Sequence, residues 1–249
     1  MKINNLKRVV NLPDVVLFDL DNTLYPYNPA HKEAHQAIKN KITKTLSISN
    51  NDFERAFIQA KLDIKGRLKN TASSHNRLLY MQRMLEILGL GSQVLMALDL
   101  EQTYWRTFLS NAILFEDVKA LMDDIRLLGI TIGIVTDLTA QVQFRKIVYF
   151  GLEKYFDFIV TSEESGFDKP HESTFNIALK KMQLKSRGNI WMIGDHPIND
   201  IRGSRDNINA ITFQKIHSGV ILGVDENAPD VFFEKYAELR KLVKKLAKK

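Results

Sequence analysis

The sequence predicts an α/β fold in which helices cover both faces of a mostly parallel sheet and an α-helical domain is inserted near the N-terminus. Short apolar runs rich in β-branched residues alternate with segments of helical periodicity, which is the pattern of strands joined by crossover helices. After the first run, residues 27–111 carry helical patterns only. Several strand-like runs end directly in polar or acidic residues, at the edge of the sheet where ligands bind in such folds.

The first predicted strand is the apolar run Val15–Phe18, whose β-branched and aromatic residues are typical of a strand buried on both faces. Asp19 and Asp21 follow it directly. Asn22 and Thr23 add polar groups where the strand enters a loop. Because Asp is common in turns, this motif alone would also fit an ordinary acidic turn.

The next part of the chain contains four segments with apolar residues at helical spacing, separated by polar breaks or by glycine. These segments are 30–46, 52–64, 75–88 and 93–109, with Gly66 marking the end of the second. We predict a helical cap domain at 27–111, inserted into an α/β core domain made of residues 1–26 and 112–249.

Beyond this insertion the pattern alternates between strands and helices. The predicted strands are 130–136, 158–161, 189–194 and 209–213. The predicted helices are 116–128, 139–150 and 173–182, and the first two are followed by glycines suited to a helix C-cap. This alternation requires crossover connections and therefore a mostly parallel sheet.

The C-terminal segment 231–249 is expected to form an amphipathic helix with a basic outer face. Its apolar residues recur at spacings of three and four, namely Phe232, Tyr236, Leu239, Val243 and Leu246. Seven basic and two acidic residues give this segment a net charge of +5, out of +6 for the whole chain. We expect the helix to dock on the core with its lysines in solvent, where they suit the negative end of the helix dipole.

Composition argues against several classes of protein. The 249 residues are 45% hydrophobic and 26% charged, which is typical of a soluble globular protein. No apolar run has the length of a signal peptide or of a membrane span, and the absence of cysteine excludes disulfides and thiolate metal sites. We expect a cytoplasmic monomer or homodimer that binds neither nucleic acid nor membrane.

Three further motifs follow the first in a fixed order. Thr136 ends the run TIGIVT, Lys169 lies in DKP, and Asp195 and Asp200 lie in WMIGDHPIND. Together with FDLDNTLY, these motifs resemble the haloacid dehalogenase superfamily, in its acylneuraminate-9-phosphatase-like and phosphoglycolate-phosphatase-like phosphatase branch. The resemblance spans residues 14–200 and implies a Rossmann-like core with a helical cap.

The resemblance implies a reaction through an aspartyl-phosphate, with Asp19 as nucleophile and Asp21 as general acid and base. Residue chemistry agrees with this division, because a neighbouring anion is expected to raise the pKa of Asp21, as a general acid requires. The second Asp also favours phosphatase over dehalogenase chemistry, since a halide leaving group needs no proton.

The resemblance also implies Mg²⁺ as cofactor, bound by Asp19, by the backbone carbonyl of Asp21 and by Asp195. Oxygen ligands suit this hard ion, and a cation would offset the repulsion between carboxylates and phosphate. Asp200 is expected to orient the ligands, although capping of a helix N-terminus is an alternative.

Phosphate binding is assigned by the resemblance to Thr136 and Lys169. Asn22 offers a further donor, and Thr23 supports the loop. Asp137 follows Thr136 where many relatives have Asn. Two alternatives follow: either its carboxylate points away from the phosphate, or it reduces phosphate affinity.

Substrate specificity is expected from the cap, where His75 and Arg77 lie in a polar loop that leads into a helix. Helix capping by Ser73 or Ser74, with Arg77 in solvent, is the alternative. The resulting hypothesis is a Mg²⁺-dependent phosphatase for a small phosphomonoester, such as a sugar phosphate or a nucleoside monophosphate. A phosphomutase of the same superfamily and a non-catalytic binding protein that uses the basic C-terminal helix remain the alternatives.

Overall fold

A computed structural model describes residues 1–183 and 188–248, and the chain divides into two compact units. One unit comprises Met1–Pro26 and Ile113–Lys249, and the other comprises Tyr27–Ala112. The first contains the sheet and the second is helical. None of the helices in the described ranges is both long and apolar enough to span a membrane.

Within the described residues, seven strands of the first unit form one sheet in the order β1-β7-β6-β5-β2-β3-β4. They are β1 (Lys2–Ile3), β2 (Val15–Phe18), β3 (Thr131–Thr136), β4 (Phe158–Thr161), β5 (Ile190–Gly194), β6 (Ile211–Lys215) and β7 (Val231–Phe233). Each pairing between these strands is parallel except that of β1 with β7. The predicted α/β fold with a mostly parallel, Rossmann-like sheet is confirmed.

The register of the sheet aligns the carboxyl ends of its central strands. Phe18, the last residue of β2, lies opposite Ile134 of β3 and Ile193 of β5. Strand β2 therefore has a later strand on each side, which makes it the point where the strand order reverses. Ligands bind at such a point in open parallel sheets.

The helical unit consists of α1 (Tyr27–Leu46), α2 (Asn50–Leu68), α3 (Arg77–Ile87) and α4 (Val94–Asn111). Helix α1 packs against α4, and α2 packs against α3. Gly66 was expected to end the second helix but lies inside α2. An isolated glycine costs a helix only about 1 kcal/mol relative to alanine, which the packing of α2 outweighs.

In the part of this chain that the structure describes, six further α-helices belong to the unit that contains the sheet. They are α5 (Val118–Leu127), α6 (Ala140–Phe150), α7 (Ser162–Ser165), α8 (Glu172–Met182), α9 (Gly203–Ile208) and α10 (Tyr236–Leu246). The short helices α7 and α9 were not predicted, and neither was β1, because segments of two to six residues are too short to show a period.

The predicted C-terminal helix is wrong in its first residues. Val231–Phe233 form strand β7, because this β-branched and aromatic run pairs with β6, and α10 begins only at Tyr236. Helix α10 packs on α5, where Arg240 donates to Asp117 and Asp124 at 2.7 Å each. Lys249, at the end of the predicted helix, lies outside the described residues.

Candidate active site

Asp19 is the first residue after β2, and the neighbouring chain fixes both its backbone and its carboxylate. Its backbone N–H donates to the Ile193 carbonyl of β5 at 2.9 Å. Its Oδ2 accepts from the Thr23 hydroxyl at 2.9 Å, and its Oδ1 accepts from the Lys169 ammonium at 2.8 Å. The residue is only 6% exposed, so the carboxylate is oriented and largely shielded from water.

Lys169 lies between α7 and α8 and is buried. Besides Asp19, its Nζ donates to Asp200 Oδ1 at 2.5 Å and to the Val135 carbonyl at 2.9 Å. These three acceptors match the three hydrogens of an ammonium group. Burial opposes the charge, but Asp19 and Asp200 outweigh it and hold the pKa of Lys169 well above its usual value.

Asp195 follows β5 directly, and Asp200 lies in the short π-helical segment Pro197–Arg202 that comes next. Carboxylate oxygens of Asp19, Asp195 and Asp200 all lie within 4.8 Å of one another. Burial and the nearby Asp200 and Asp19 raise the pKa of Asp195 to about 9. Burial also raises the pKa of Asp19 to about 6, against the opposing charge of Lys169.

An oxygen-only donor set of this kind fits a hard divalent cation such as Mg²⁺. Three carboxylates this close repel one another, and a bound cation would relieve that repulsion. The cluster includes Asp200, which was expected to orient ligands; Asp200 Oδ2 also accepts from the His196 backbone N–H at 2.9 Å. The backbone carbonyl of Asp21 remains a predicted ligand.

The carboxylate of Asp21 is held by α6 and by Tyr25. Lys146 Nζ donates to its two oxygens at 2.6 and 2.8 Å, the Tyr25 hydroxyl donates to Oδ1, and Gln143 Nε2 donates to Oδ2 at 3.2 Å. Burial disfavours ionisation, but the charge and hydrogen bonds of Lys146, together with Tyr25 and Gln143, lower the pKa of Asp21 below its usual value. The expected rise in the pKa of Asp21 is therefore wrong, because the charge and hydrogen bonds of Lys146, with those of Tyr25 and Gln143, outweigh the effect of burial.

Gln143 and Lys146 were not identified from the sequence. They are spaced three residues apart on α6 and share its buried face with Ile147 and Phe150. The sequence feature that could have identified them is the occurrence of two polar residues on the apolar face of a predicted helix. Such a signal indicates a buried polar contact but does not name the partner.

Thr136 ends β3, and its hydroxyl accepts from Gln143 Nε2 at 2.7 Å. The next residue, Asp137, accepts from the backbone N–H of Lys169 at 2.8 Å through Oδ1, and its Oδ2 lies 3.5 Å from the side-chain amide of Asn199. Its carboxylate is thus directed at the turn that carries Lys169. Burial raises the pKa of Asp137 to about 7, against the opposing charge of Lys169.

The loop after Asp21 is fixed by residues from the end of the sheet. Asn22 has a φ of 61°, and its carbonyl oxygen lies 2.9 Å from His217 Nε2. The Tyr236 hydroxyl donates to the Thr23 carbonyl at 2.6 Å. Hydrogen bonding of the Asn22 side chain to phosphate remains a prediction.

His75 and Arg77, the two residues predicted to determine substrate specificity, lie in the helical unit, and aromatic side chains surround Arg77. Its guanidinium donates to the His75 carbonyl at 2.6 Å and to the Tyr27 hydroxyl. The guanidinium carbon also lies 5.3, 5.3 and 5.7 Å from the ring centres of Tyr80, Tyr104 and Trp105.

Across residues 1–183 and 188–248, no carboxylate forms an ion pair with Arg77. Arg77 is partly exposed, and the alternative of a fully solvated Arg77 does not hold because its guanidinium contacts the His75 carbonyl and the Tyr27 hydroxyl. The N-cap of α3 is Asn76, which accepts from the backbone N–H groups of Leu78 and Leu79, rather than Ser73 or Ser74.

Comparison with known proteins places these features in a family. A model described as haloacid dehalogenase-like hydrolase matches residues 13–206. Ribulose-1,5-bisphosphate 5-phosphatase from Halopiger xanaduensis is 33% identical over 190 residues, which cover 76% of this chain and 79% of that protein. Glyceraldehyde 3-phosphate phosphatase from Methanocaldococcus jannaschii is 28% identical over 240 residues, which cover 94% and 98% of the two chains.

Solved structures agree on the fold. 2-Haloacid dehalogenase from Pseudomonas syringae pv. Tomato DC3000 superposes with a TM-score of 0.72, covering 94% of this chain and 99% of that one. At 20% identity this likeness supports the fold alone.

Proposed function

We propose that this chain, which belongs to the haloacid dehalogenase-like hydrolase family, is a Mg²⁺-dependent phosphatase that hydrolyses the phosphomonoester of a small sugar phosphate through an aspartyl-phosphate on Asp19. The observation that carries the proposal is the cluster of Asp19, Asp195 and Asp200 near the ends of β2 and β5, with Lys169 donating to Asp19 and Asp200. All of these residues are buried except Asp195, which is partly exposed. Relatives named as phosphatases of ribulose-1,5-bisphosphate and glyceraldehyde 3-phosphate support both the reaction class and the substrate class.

In the first step, one carboxylate oxygen of Asp19 attacks phosphorus. The phosphorus–oxygen bond of the ester breaks, and Asp21 gives a proton to the departing alkoxide. Because the contacts of Lys146 lower the pKa of Asp21, Asp21 takes up this proton from solvent only beside the bound phosphate, whose negative charge favours the protonated carboxyl. With a pKa of about 6, Asp19 is mostly ionised at neutral pH and is therefore nucleophilic. The ammonium group of Lys169 offsets the negative charge of the phosphoryl oxygens, and the Thr136 hydroxyl donates a hydrogen bond to one of them.

In the second step, Asp21 takes a proton from water, and the water oxygen attacks the phosphorus of the aspartyl-phosphate. The bond between phosphorus and the Asp19 oxygen breaks, which releases inorganic phosphate and regenerates the carboxylate. Phosphoryl transfer of this kind depends on positioning and on charge stabilisation more than on new covalent chemistry.

Mg²⁺ would be held by Asp19, Asp195 and Asp200, together with the backbone carbonyl of Asp21. When bound, the ion supplies positive charge to the phosphoryl oxygens. The oxygen-only donor set and the close approach of the three carboxylates support this assignment.

We assign the role of the cap domain to Tyr27–Ala112 and substrate specificity to Arg77, with His75 beside it. A guanidinium with no ion-paired carboxylate among the described residues suits an anionic group of the substrate. A cytoplasmic monomer or homodimer that acts on a small phosphorylated metabolite is the corresponding proposal for the whole protein.

The test is phosphate release by the purified protein over ribulose-1,5-bisphosphate, glyceraldehyde 3-phosphate, nucleoside monophosphates and an aryl phosphate, with Mg²⁺ or with EDTA. Asp19→Asn serves as the inactive variant, and Asp123→Asn, at an exposed position on α5, serves as the matched control. We expect release that requires both Mg²⁺ and Asp19 and is unaffected in the control. Mg²⁺ should also raise the unfolding temperature of the wild type, and Asp195→Asn should remove that rise.

Three results would contradict the proposal. Equal turnover by Asp19→Asn would remove Asp19 as nucleophile. Conversion of a sugar phosphate into its isomer without phosphate release would indicate a phosphomutase. Binding of a phosphate ester without any turnover would indicate a non-catalytic protein.

A further inference from the structure

Helix α6 places a fully buried lysine against the proposed acid–base residue. The side chain of Lys146 is 0% exposed, whereas that of Asp21 remains 23% exposed. Burying an ammonium group costs several kcal/mol of desolvation, and a hydrophobic side chain of similar size is often at least as stable in such a position. Stability alone therefore does not account for a lysine here.

The geometry of the contact points to orientation of the carboxylate. One nitrogen, Lys146 Nζ, lies 2.6 Å from Oδ1 and 2.8 Å from Oδ2 of Asp21, so it straddles the carboxylate and fixes its plane. The Tyr25 hydroxyl adds a second contact to Oδ1. A carboxylate with both oxygens bound in this way cannot rotate freely about its terminal torsion.

We propose that Lys146, assisted by Gln143, is the positioning residue that holds the Asp21 carboxylate in the orientation required for proton transfer to the leaving alkoxide. This inference rests on the proposed phosphatase function. If it is correct, residues of α6 orient the acid–base residue, although this helix carries no residue of the motifs predicted from the sequence.

Gln143 makes the longest of the hydrogen bonds to the Asp21 carboxylate whose distances are given above. Its Nε2 lies 2.7 Å from the Thr136 hydroxyl, 2.6 Å from the Asp137 carbonyl and 3.2 Å from Asp21 Oδ2. An amide nitrogen has two hydrogens for these three acceptors, so the longest contact, to Asp21, is the one most easily given up. Lys146 donates to both oxygens of Asp21, so the contact of Gln143 with Oδ2 supplements the one made by Lys146.

The same nitrogen joins two proposed functional groups from different strands. Thr136 comes from β3 and Asp21 follows β2, and Gln143 lies within hydrogen-bond distance of both. The buried face of α6 thus sets the position of the proton donor relative to a proposed phosphate-binding hydroxyl.

The experiment compares substrates whose leaving groups differ in their need for a proton. An alkyl phosphate, such as the best sugar phosphate of the panel, leaves as an alkoxide and needs general-acid assistance, whereas 2,4-dinitrophenyl phosphate leaves as a stable anion. The measured quantity is kcat/KM, because it covers only the steps up to departure of the leaving group. Hydrolysis of the aspartyl-phosphate then does not affect the comparison.

We expect Lys146→Met to reduce kcat/KM for the alkyl phosphate by about 30-fold or more, a part of the roughly 10²–10⁴-fold that general-acid catalysis contributes, and to change the value for the aryl phosphate by less than about threefold. Lys146→Arg should recover part of the loss, because it restores the charge. Lys154→Met, at an exposed position, is the matched control and should change neither value.

A double variant separates positioning from a structural role. If Lys146 acts through Asp21, then adding Lys146→Met to Asp21→Asn should cause no further loss on the alkyl phosphate. Thermal unfolding of each variant precedes the kinetics, and if Lys146→Met does not fold, Lys146→Arg and Gln143→Leu are measured in its place.

Equal losses on the two substrates, or additive losses in the double variant, would overturn the inference and leave the proposed function intact. An unchanged ratio of the kcat/KM values for the two substrates in Lys146→Met would likewise overturn the inference and leave the proposed function intact. Absence of Asp19-dependent phosphate release by the wild type would overturn the proposed function and, with it, this inference.

Discussion

Gly194, the last residue of β5, has no room for a side chain, and the substitution Gly194→Ala tests the packing of the acidic cluster. A Cβ at this position would lie 2.3 Å from Asp200 Cβ, 2.4 Å from its Cγ and 2.5 Å from its Oδ2. Non-bonded carbon atoms prefer separations of about 3.5–4.0 Å. Asp200 would therefore have to move by about 1 Å or more.

The cost follows from what Asp200 holds in place. It is 1% exposed, and it accepts from Lys169 Nζ at 2.5 Å and from the His196 N–H at 2.9 Å. Overpacking a core costs about 1–3 kcal/mol, and loss of a hydrogen bond to a charged group costs about 1.5–3 kcal/mol. We expect Gly194→Ala to lower the free energy of unfolding by about 2.5–6 kcal/mol and to reduce turnover, because Lys169 and the carboxylates move together.

The assay is urea unfolding of the purified variants, combined with phosphate release. Gly66→Ala is the control, since a Cβ at Gly66 meets nothing within 4 Å and the residue lies inside α2. The same substitution should there raise the free energy of unfolding by about 0.5–1 kcal/mol. The two alanine variants are thus expected to shift stability in opposite directions.

If Gly194→Ala unfolded like the wild type and kept full turnover, Asp200 would not be packed against β5 as described. A loss of turnover at unchanged stability would also contradict the reasoning. In that case Asp200 could move without breaking its contacts with Lys169 and His196.

Two further predictions concern charge. Because the pKa of Asp137 is raised to about 7 in the folded chain, from about 3.8 in the unfolded chain, the folded state binds its proton more tightly and loses stability as the pH rises through this interval. Asp137→Asn should therefore gain stability relative to the wild type between pH 4 and pH 7 in urea titrations, and a difference independent of pH would contradict this. Arg77→Lys keeps the charge but loses the planar guanidinium among Tyr80, Tyr104 and Trp105, so we expect KM for the preferred substrate to rise with little change in kcat. Arg83→Lys, on the same helix but paired with Asp63, is the control, and equal KM values for the two variants would remove Arg77 as a specificity residue.

The residues at the strand ends could be predicted because local sequence determines where they lie. A buried strand such as Val15–Phe18 is recognisable from its composition, and the residue after it must emerge at the carboxyl edge of the sheet. Asp19 and Asp195 follow this rule, and Thr136 is the last residue of its own strand. The register then brings these positions to one edge, as parallel pairing requires.

Contacts between distant segments could not be predicted in the same way. Lys146 lies 125 residues from Asp21 in the sequence, and periodicity reports which face of α6 is buried but not which group it meets. The error at Val231–Phe233 has a related origin. Phe232 fits the apolar spacing of the following helix, yet pairing with β6 decides its conformation.

Contacts between distant segments also give Asp19 and Asp21, two similar carboxylates, different pKa values. The two residues are separated by one position, yet burial raises the pKa of Asp19, whereas the contacts of Lys146 lower that of Asp21. The difference lies in the cation that each carboxylate meets: Lys169 donates to both Asp19 and Asp200, while Lys146 donates to both oxygens of Asp21. The two neighbouring carboxylates therefore lie in different electrostatic environments, although the chain separates them by a single residue. In this chain the difference between the pKa values of the two carboxylates arises from Lys169, in the turn before α8, and from Lys146, on the buried face of α6. It does not arise from the motif that carries the two carboxylates.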